Sequence, residues 1–154
     1  MNALELRCVR VLADLSTEQL HELAACGEAL SFLPGKIIVA QGDPADAMYL
    51  IIEGTAGAYV IDKPGNETHL RTLEAGAQFG EIGLLESSER TATVRAITPC
   101  RVFRLDQAAF GRLLQRPALA APLLLGISRS LAARLAHITN RFAEAHTFRD
   151  FWLH

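Results

Sequence analysis

The chain changes its hydrophobic period twice. Between Leu12 and Ala29 the apolar residues Leu15, Leu20, Leu23 and Ala24 fall near one helical face, which predicts a short N-terminal helix. Ser16 is placed to cap it, Gln19 to return the capping-box bond and Gly27 to stop it. From Leu30 short apolar runs take over: Ile37 to Val39, Tyr49 to Ile52 and Ala58 to Ile61, then His69 to Leu73, Ala92 to Ala96 and Arg101 to Leu105. Pro34-Gly35, Gly42-Asp43-Pro44, Glu53-Gly54 and Lys63-Pro64-Gly65-Asn66 supply turns between the earlier runs. Strands at such regular spacing predict an all-β sandwich or barrel and exclude alternating βαβ units.

Helical spacing returns after Asp106, a candidate N-cap. Phe110, Leu113 and Leu114 make one short amphipathic piece that breaks near Pro117. Ile127, Leu131, Leu135, Ile138 and Phe142 then predict a longer helix from about Leu123 to about Ala145. A stripe that narrow packs on the β-body or on the same helix of a second copy. The order is an N-terminal helical region (1–29), a β-roll (30–105), then C-terminal helices and a tail (106–154), with no linker or internal repeat.

Composition narrows this further. A chain of 154 residues that is half apolar and about one-fifth charged fits one compact domain, 1–154, without disulfides or metal. The formal charge of −2 lacks the basic footprint of nucleic-acid binders, so no nucleic-acid partner is expected. Cys8, Cys26 and Cys100 are odd in number and form no C-x-x-C pair, as for free thiols in a reducing compartment. The N-terminus lacks the apolar core of a signal peptide, and the most apolar segment, Ala118 to Ile127, is short for a bilayer and holds Pro122. A soluble, cytoplasmic protein without membrane contact is expected. His21, His69, His137, His146 and His154 are scattered, which argues against a metal site. No nucleophile with a base, and no converging carboxylates and histidines, suggests an enzyme.

The chemistry concentrates between Phe79 and Ala96, F-G-E-I-G-L-L-E-S-S-E-R-T-A-T-V-R-A. Gly80 and Gly83 flank Glu81 and Ile82 where strands give way to an apolar turn. If Glu81 to Leu85 form a helical turn, its unpaired N–H groups favour a phosphate, and Gly80 lets backbone approach closely. On its own F-G-E-x-G fits a plain β-turn over a buried Phe79 equally well. Arg90 shifts the balance: it closes the loop Glu86-Ser87-Ser88-Glu89, and its guanidinium matches two phosphate oxygens in a fork. The alternative for Arg90 is a surface salt bridge to Glu81 or Glu86. A phosphate would repel Glu81, so that carboxylate is left to accept a hydroxyl proton from a sugar. The set suits a small nucleotide.

The segment resembles the phosphate-binding cassette of cyclic nucleotide-binding domains, F-G-E-[hydrophobic]-[Gly or Ala]-L-…-R-[small]-A-[Thr or Ser]-V. Upstream, Gly35, Gly42, Asp43, Tyr49, Ile51 and Gly54 are similar to the glycine-punctuated first half of that family, and the likeness covers about Leu12 to Phe142. It implies a mainly β fold, a β-roll or jelly-roll of about eight strands with flanking helices, the last a lid over the base. By motif match Glu81 takes the ribose 2′-hydroxyl and Arg90 the cyclic phosphate. Gly80, Ile82 and Thr91 complete the cradle, with Phe79, Gly83, Leu84 and Ala92 as the rest of the cassette. On the last helix, Thr139 and Asn140 lie where activator-type relatives place polar contacts to the purine. Exposed polar residues on a helix explain them equally well. Phe142, Phe151 or Trp152 could cap the base or close the core.

Thr91 after the arginine favours guanine in kinase-type relatives, whereas bacterial-type domains with Ser or Thr there also bind the adenine nucleotide. cAMP is placed ahead of cGMP, with no other cofactor. The expected function is a stand-alone receptor, without a helix-turn-helix, that moves its C-terminal helix against a protein partner or a second copy. The alternatives are a non-binding scaffold of the same fold and a regulatory fragment of a longer transcription factor or channel.

Overall fold

A computed structural model describes residues 1–86 and 88–151, with side chains as far as Ala145. Its architecture follows from one strand. In β3 (Ala47–Glu53) every residue but the last is buried, so both faces must be covered. Alternation sends Ala47, Tyr49 and Ile51 into one apolar cluster and Met48, Leu50 and Ile52 into another. The first cluster lies between two sheets; the second lies under the helices. That is the expected mainly β fold with flanking helices.

The remaining strands are β1 (Glu28–Phe32), β2 (Ile37–Val39), β4 (Thr55–Ile61), β5 (Glu67–Glu74), β6 (Gln78–Phe79), β7 (Thr93–Ala96) and β8 (Cys100–Asp106). They form two four-stranded sheets in the orders β1-β8-β3-β6 and β2-β7-β4-β5. Pairing is antiparallel, with Leu50 opposite Phe103 in one sheet and Ala58 opposite Val94 in the other. β8 repeats the division of β3: Cys100 and Val102 face the inter-sheet core, Phe103 and Leu105 the helices. The sequence pattern misses β1, whose residues are exposed or half-buried, and β6, which has only two residues.

The N-terminal helix is α1 (Thr17–Cys26), with the capping box of Ser16 and Gln19 closed and Gly27 at its C-cap. Ahead of it, Ala3–Cys8 and Arg10–Leu12 are 3₁₀ turns that bury Leu6, Val11 and Leu12. After α2 (Glu81–Leu85), α3 (Gln107–Leu114) starts from Asp106, whose carboxylate accepts from Ala109 N at 2.7 Å.

The last helix, α4 (Pro117–Phe151), begins six residues earlier than the hydrophobic stripe predicts. Pro117, expected as a break, is its first residue, where a missing N–H costs nothing. Pro122 sits inside the helix and leaves the Ala118 carbonyl without its i+4 donor. Gln19 repairs this: its side-chain amide donates to Ala118 O at 2.7 Å, while its Oε1 accepts from Ser16 N at 2.9 Å. Leu119, Leu123 and Ile127 bury the first turns. At Gly126 a side chain would strike the Val11 carbonyl, so glycine permits this close docking. Farther along, Leu135, Ile138 and Phe142 are exposed. The short apolar segment of the sequence reading thus continues into a stretch, Pro117–Ala145, long and apolar enough by length and composition to cross a membrane. Only 22% of its most apolar window is buried, and that part is core helix of the domain.

Gln19→Ala removes both bonds and is expected to lower the unfolding free energy by about 1–2 kcal/mol. Gln19→Glu, which keeps the cap but loses the amide donor, should fall between it and the parent in a thermal melt. Parent-like melting of both would show that the Ala118 carbonyl needs no such partner.

Candidate functional site

The arginine loop is pinned by backbone before any side chain acts. Arg90 N donates to Asp43 O at 2.7 Å, Gly42 N to Arg90 O at 2.9 Å and Ala45 N to Ser88 O at 2.9 Å. The Gly42-Asp43-Pro44 turn thereby holds the loop against the end of β3. Arg90, 7% exposed, turns inward. Its Nη2 donates to Ala47 O at 2.8 Å, and its guanidinium lies 5.6 Å from the Tyr49 ring centroid. Tyr49 in turn stacks on Phe79 at 5.1 Å. Asp46, largely exposed, is 3.7 Å from Nη2, while Nη1 is buried without a hydrogen-bond partner. Burial pushes the Arg90 guanidinium below its ordinary range, with Tyr49 and Asp46 acting the other way.

Glu81 to Leu85 do form the expected helical turn, α2. Gly80 caps it in the left-handed region, φ +81°, and a Cβ there would lie 2.5 Å from Arg90 Nη1. Glycine is required for both reasons. The Glu81 side chain is 1% exposed. Its counter-ion is neither Arg90 nor a surface group but Arg134 of α4, whose Nη2 pairs with Oε1. The carboxylate still lacks a hydrogen-bond donor in good geometry, and Nε and Nη2 of Arg134 lack an acceptor in good geometry. Burial, and then the charge of Arg71, lower the Arg134 guanidinium from its ordinary value.

These groups surround a cavity of about 540 Å³ that opens off the inter-sheet core. Phe79, Gly80, Glu81, Ile82 and Gly83 line one side, and Arg90, Thr91 and Ala92 continue that wall. Val39, Ala58, Leu73 and Val94 floor it, and Leu70 and Arg71 enter from β5. Leu84 points elsewhere, into the helix-side core. Thr139 and Asn140 are exposed and outside the lining, and the Thr139 hydroxyl donates to Leu135 O at 2.9 Å within its own helix. The face of α4 turned to the cavity carries Arg134, His137, Ile138 and Arg141 instead. Phe142 is exposed, and the other proposed caps, Phe151 and Trp152, lie outside the described side chains. The sequence reading missed Arg71 and the four α4 residues. The signal was present, because the buried Ile127–Leu131 line continues through residue 134 to 138 and 141 by steps of three and four. Among the described residues no His/Cys/Asp/Glu group could hold a metal.

A family model described as "Cyclic nucleotide-binding domain" matches residues 29–117. The cAMP-dependent protein kinase regulatory subunit of Blastocladiella emersonii is 36% identical over 106 residues, 69% of this chain and 26% of that protein. The chain thus spans about a quarter of the curated relatives of this kind that it matches. Among solved structures, the N-terminal domain of a transcriptional regulator from Streptomyces coelicolor A3(2) superposes with a TM-score of 0.74 at 29% identity, covering 84% of this chain and 94% of that one. The Thermus thermophilus Catabolite Activator Protein gives 0.77 at 26% identity, covering 86% and 61% respectively.

The buried pair predicts a measurable coupling. In a double-mutant cycle of Glu81→Gln and Arg134→Gln, the two effects on unfolding free energy should interact by about 1–3 kcal/mol. Additive effects would show that the two side chains do not sense each other.

Proposed function

The chain belongs to the cyclic nucleotide-binding domain family, and on that premise we propose that it is a cyclic nucleotide receptor module, taking cAMP ahead of cGMP. One observation carries the reading: Glu81 and Arg90, opposite charges taken almost wholly out of water, line the same cavity without being each other's partners. Such charges are costly to bury, and a ligand that bonds each separately offsets that cost. In this reading Arg90 donates to the cyclic phosphate from its unpaired Nη1. The Gly80 and Ile82 backbones and Thr91 complete the cradle, and Glu81 accepts from the ribose 2′-hydroxyl. Leu70, Ile82 and Ile138 give the base apolar contact. Thr139 and Asn140 would reach it only if α4 turned about its axis.

The ribose hydroxyl and Arg134 compete for the same carboxylate. Binding therefore changes what holds α4, and that is the route by which occupancy becomes movement. The ligand shifts the helix only by its differential affinity for the two positions. The surface it moves includes Leu135 and Phe142, seven residues apart on one helical line, the repeat with which two like helices pair. A second copy of the chain is thus the proposed partner. The module would work as one unit over 1–154, in the cytoplasm, without catalysis of its own. The Arg134–Glu81 pair also favours a second reading, a scaffold of the same fold whose carboxylate is already satisfied.

Calorimetry with cAMP and cGMP separates the two. Binding is expected, and Arg90→Ala should cost about 2–4 kcal/mol of affinity. Absence of heat with either nucleotide would leave the scaffold. Thr91→Ala tests the base, since selective loss of cGMP would mean that the hydroxyl reads guanine. Sedimentation with and without nucleotide should show a ligand-dependent dimer; a monomer under both conditions would remove the pairing.

A further inference from the structure

Positive charge lines the cavity beyond Arg90. Its lining has four arginines, Arg71, Arg90, Arg134 and Arg141, against two glutamates, Glu81 and Glu89. Asp46, 3.7 Å from Arg90, offsets one of these arginines, and Arg141 is exposed. A single phosphodiester supplies one negative charge, and Arg90 with its neighbouring turn accounts for it. What is left is concentrated between β5 and α4. There Arg71, half-buried, has no carboxylate partner among the described residues, and burial lowers its guanidinium from the ordinary value. Arg71 and Arg134 line the same cavity, and Nε of Arg134 is buried without a hydrogen bond while its Nη2 is held by Glu81. A half-buried guanidinium without a carboxylate partner, lining a cavity beside a second arginine, is unfavourable unless an anion joins it.

We propose that this site accepts a nucleotide together with a second phosphate, the cyclic phosphodiester resting on Arg90 and the second group bridging Arg71 and Arg134. The inference rests on the receptor reading and refines its ligand. The second phosphate has two sources, a second phosphodiester within one cyclic dinucleotide or a free inorganic phosphate that binds beside a mononucleotide. When the ribose hydroxyl takes Glu81, Arg134 is released to the second phosphate, so the same exchange that loosens the ion pair also fills the anion position.

Calorimetry on the full chain with cAMP alone, with cyclic di-AMP, and with cAMP in millimolar inorganic phosphate distinguishes the sources. Either cyclic di-AMP binds about tenfold or more tighter than cAMP, or phosphate tightens cAMP by a similar factor. Arg71→Gln should erase that gain, weakening the two-phosphate arms more than cAMP alone, and Arg71→Lys should restore part of it. Arg90→Ala should weaken every arm. Binding of cAMP with no gain in either two-phosphate arm would overturn this proposal and leave the receptor intact. Equal weakening of all ligands by Arg71→Gln, with parent-like melting, would overturn the assignment of Arg71. Failure of every ligand to bind would remove the receptor reading and this one with it.

Discussion

A carboxylate buried to 1% exposure must have something to answer it, and in this molecule the answer comes from a helix more than fifty residues away in sequence. The Glu81–Arg134 pair joins the cassette to α4 where both border the cavity. Everything around it is arranged to permit that meeting. Gly80 lets α2 begin beside Arg90, and Gly83 lets it lie on Ala45. Gln78 of β6 donates to Ser130, one turn before Arg134, which fixes the phase of the helix as it passes the cavity. Opening the pair leaves a buried carboxylate without its counter-ion, so any exchange must supply Glu81 with another partner.

The helix can pass the cavity only because its first turns are fastened elsewhere. Leu119, Leu123 and Ile127 anchor it in the core that β3 and β8 share with the N-terminal turns. Gln19 supplies the donor that Pro122 removes. Beyond Leu131 the same helix leaves the core, and its sides become exposed apolar residues and the cavity wall. One element is thus rigid where it is buried and replaceable in its contacts where it is not. That gradient is what a hinged reporter of occupancy requires.

How much of this the sequence disclosed depended on how local the cause was. Ser16, Gln19, Gly27 and Asp106 act over three or four residues, and each does what its spacing predicts. The apolar runs of β3, β4 and β8 also declare themselves, since their burial is strong. β1 does not, because an edge strand with exposed residues carries little period-two signal. At the site, Glu81 and Arg90 were legible because the cassette is contiguous and its turn chemistry is explicit. Arg71 and Arg134 were not, for their meaning comes from a cavity that joins β5 to α4 across sixty residues.

Helix phase explains the remaining difference. The expected stripe ran Leu131, Leu135, Ile138, Phe142, four positions that a 3.6-residue repeat keeps within about 60° of one another, but that arc is centred about 80° away from the face turned to the cavity. The structure resolves this by giving the cavity 134, 137, 138 and 141, which leaves Leu135 and Phe142 exposed and Thr139 bonded within the helix. A rotation of α4 by about 80° would exchange these sets, moving polar Thr139 toward the cavity and withdrawing a guanidinium from Glu81. In the proposed mechanism, closing the site and presenting an apolar face therefore share one rotation of this helix. A ligand that replaces Arg134 on Glu81 acts on both at once.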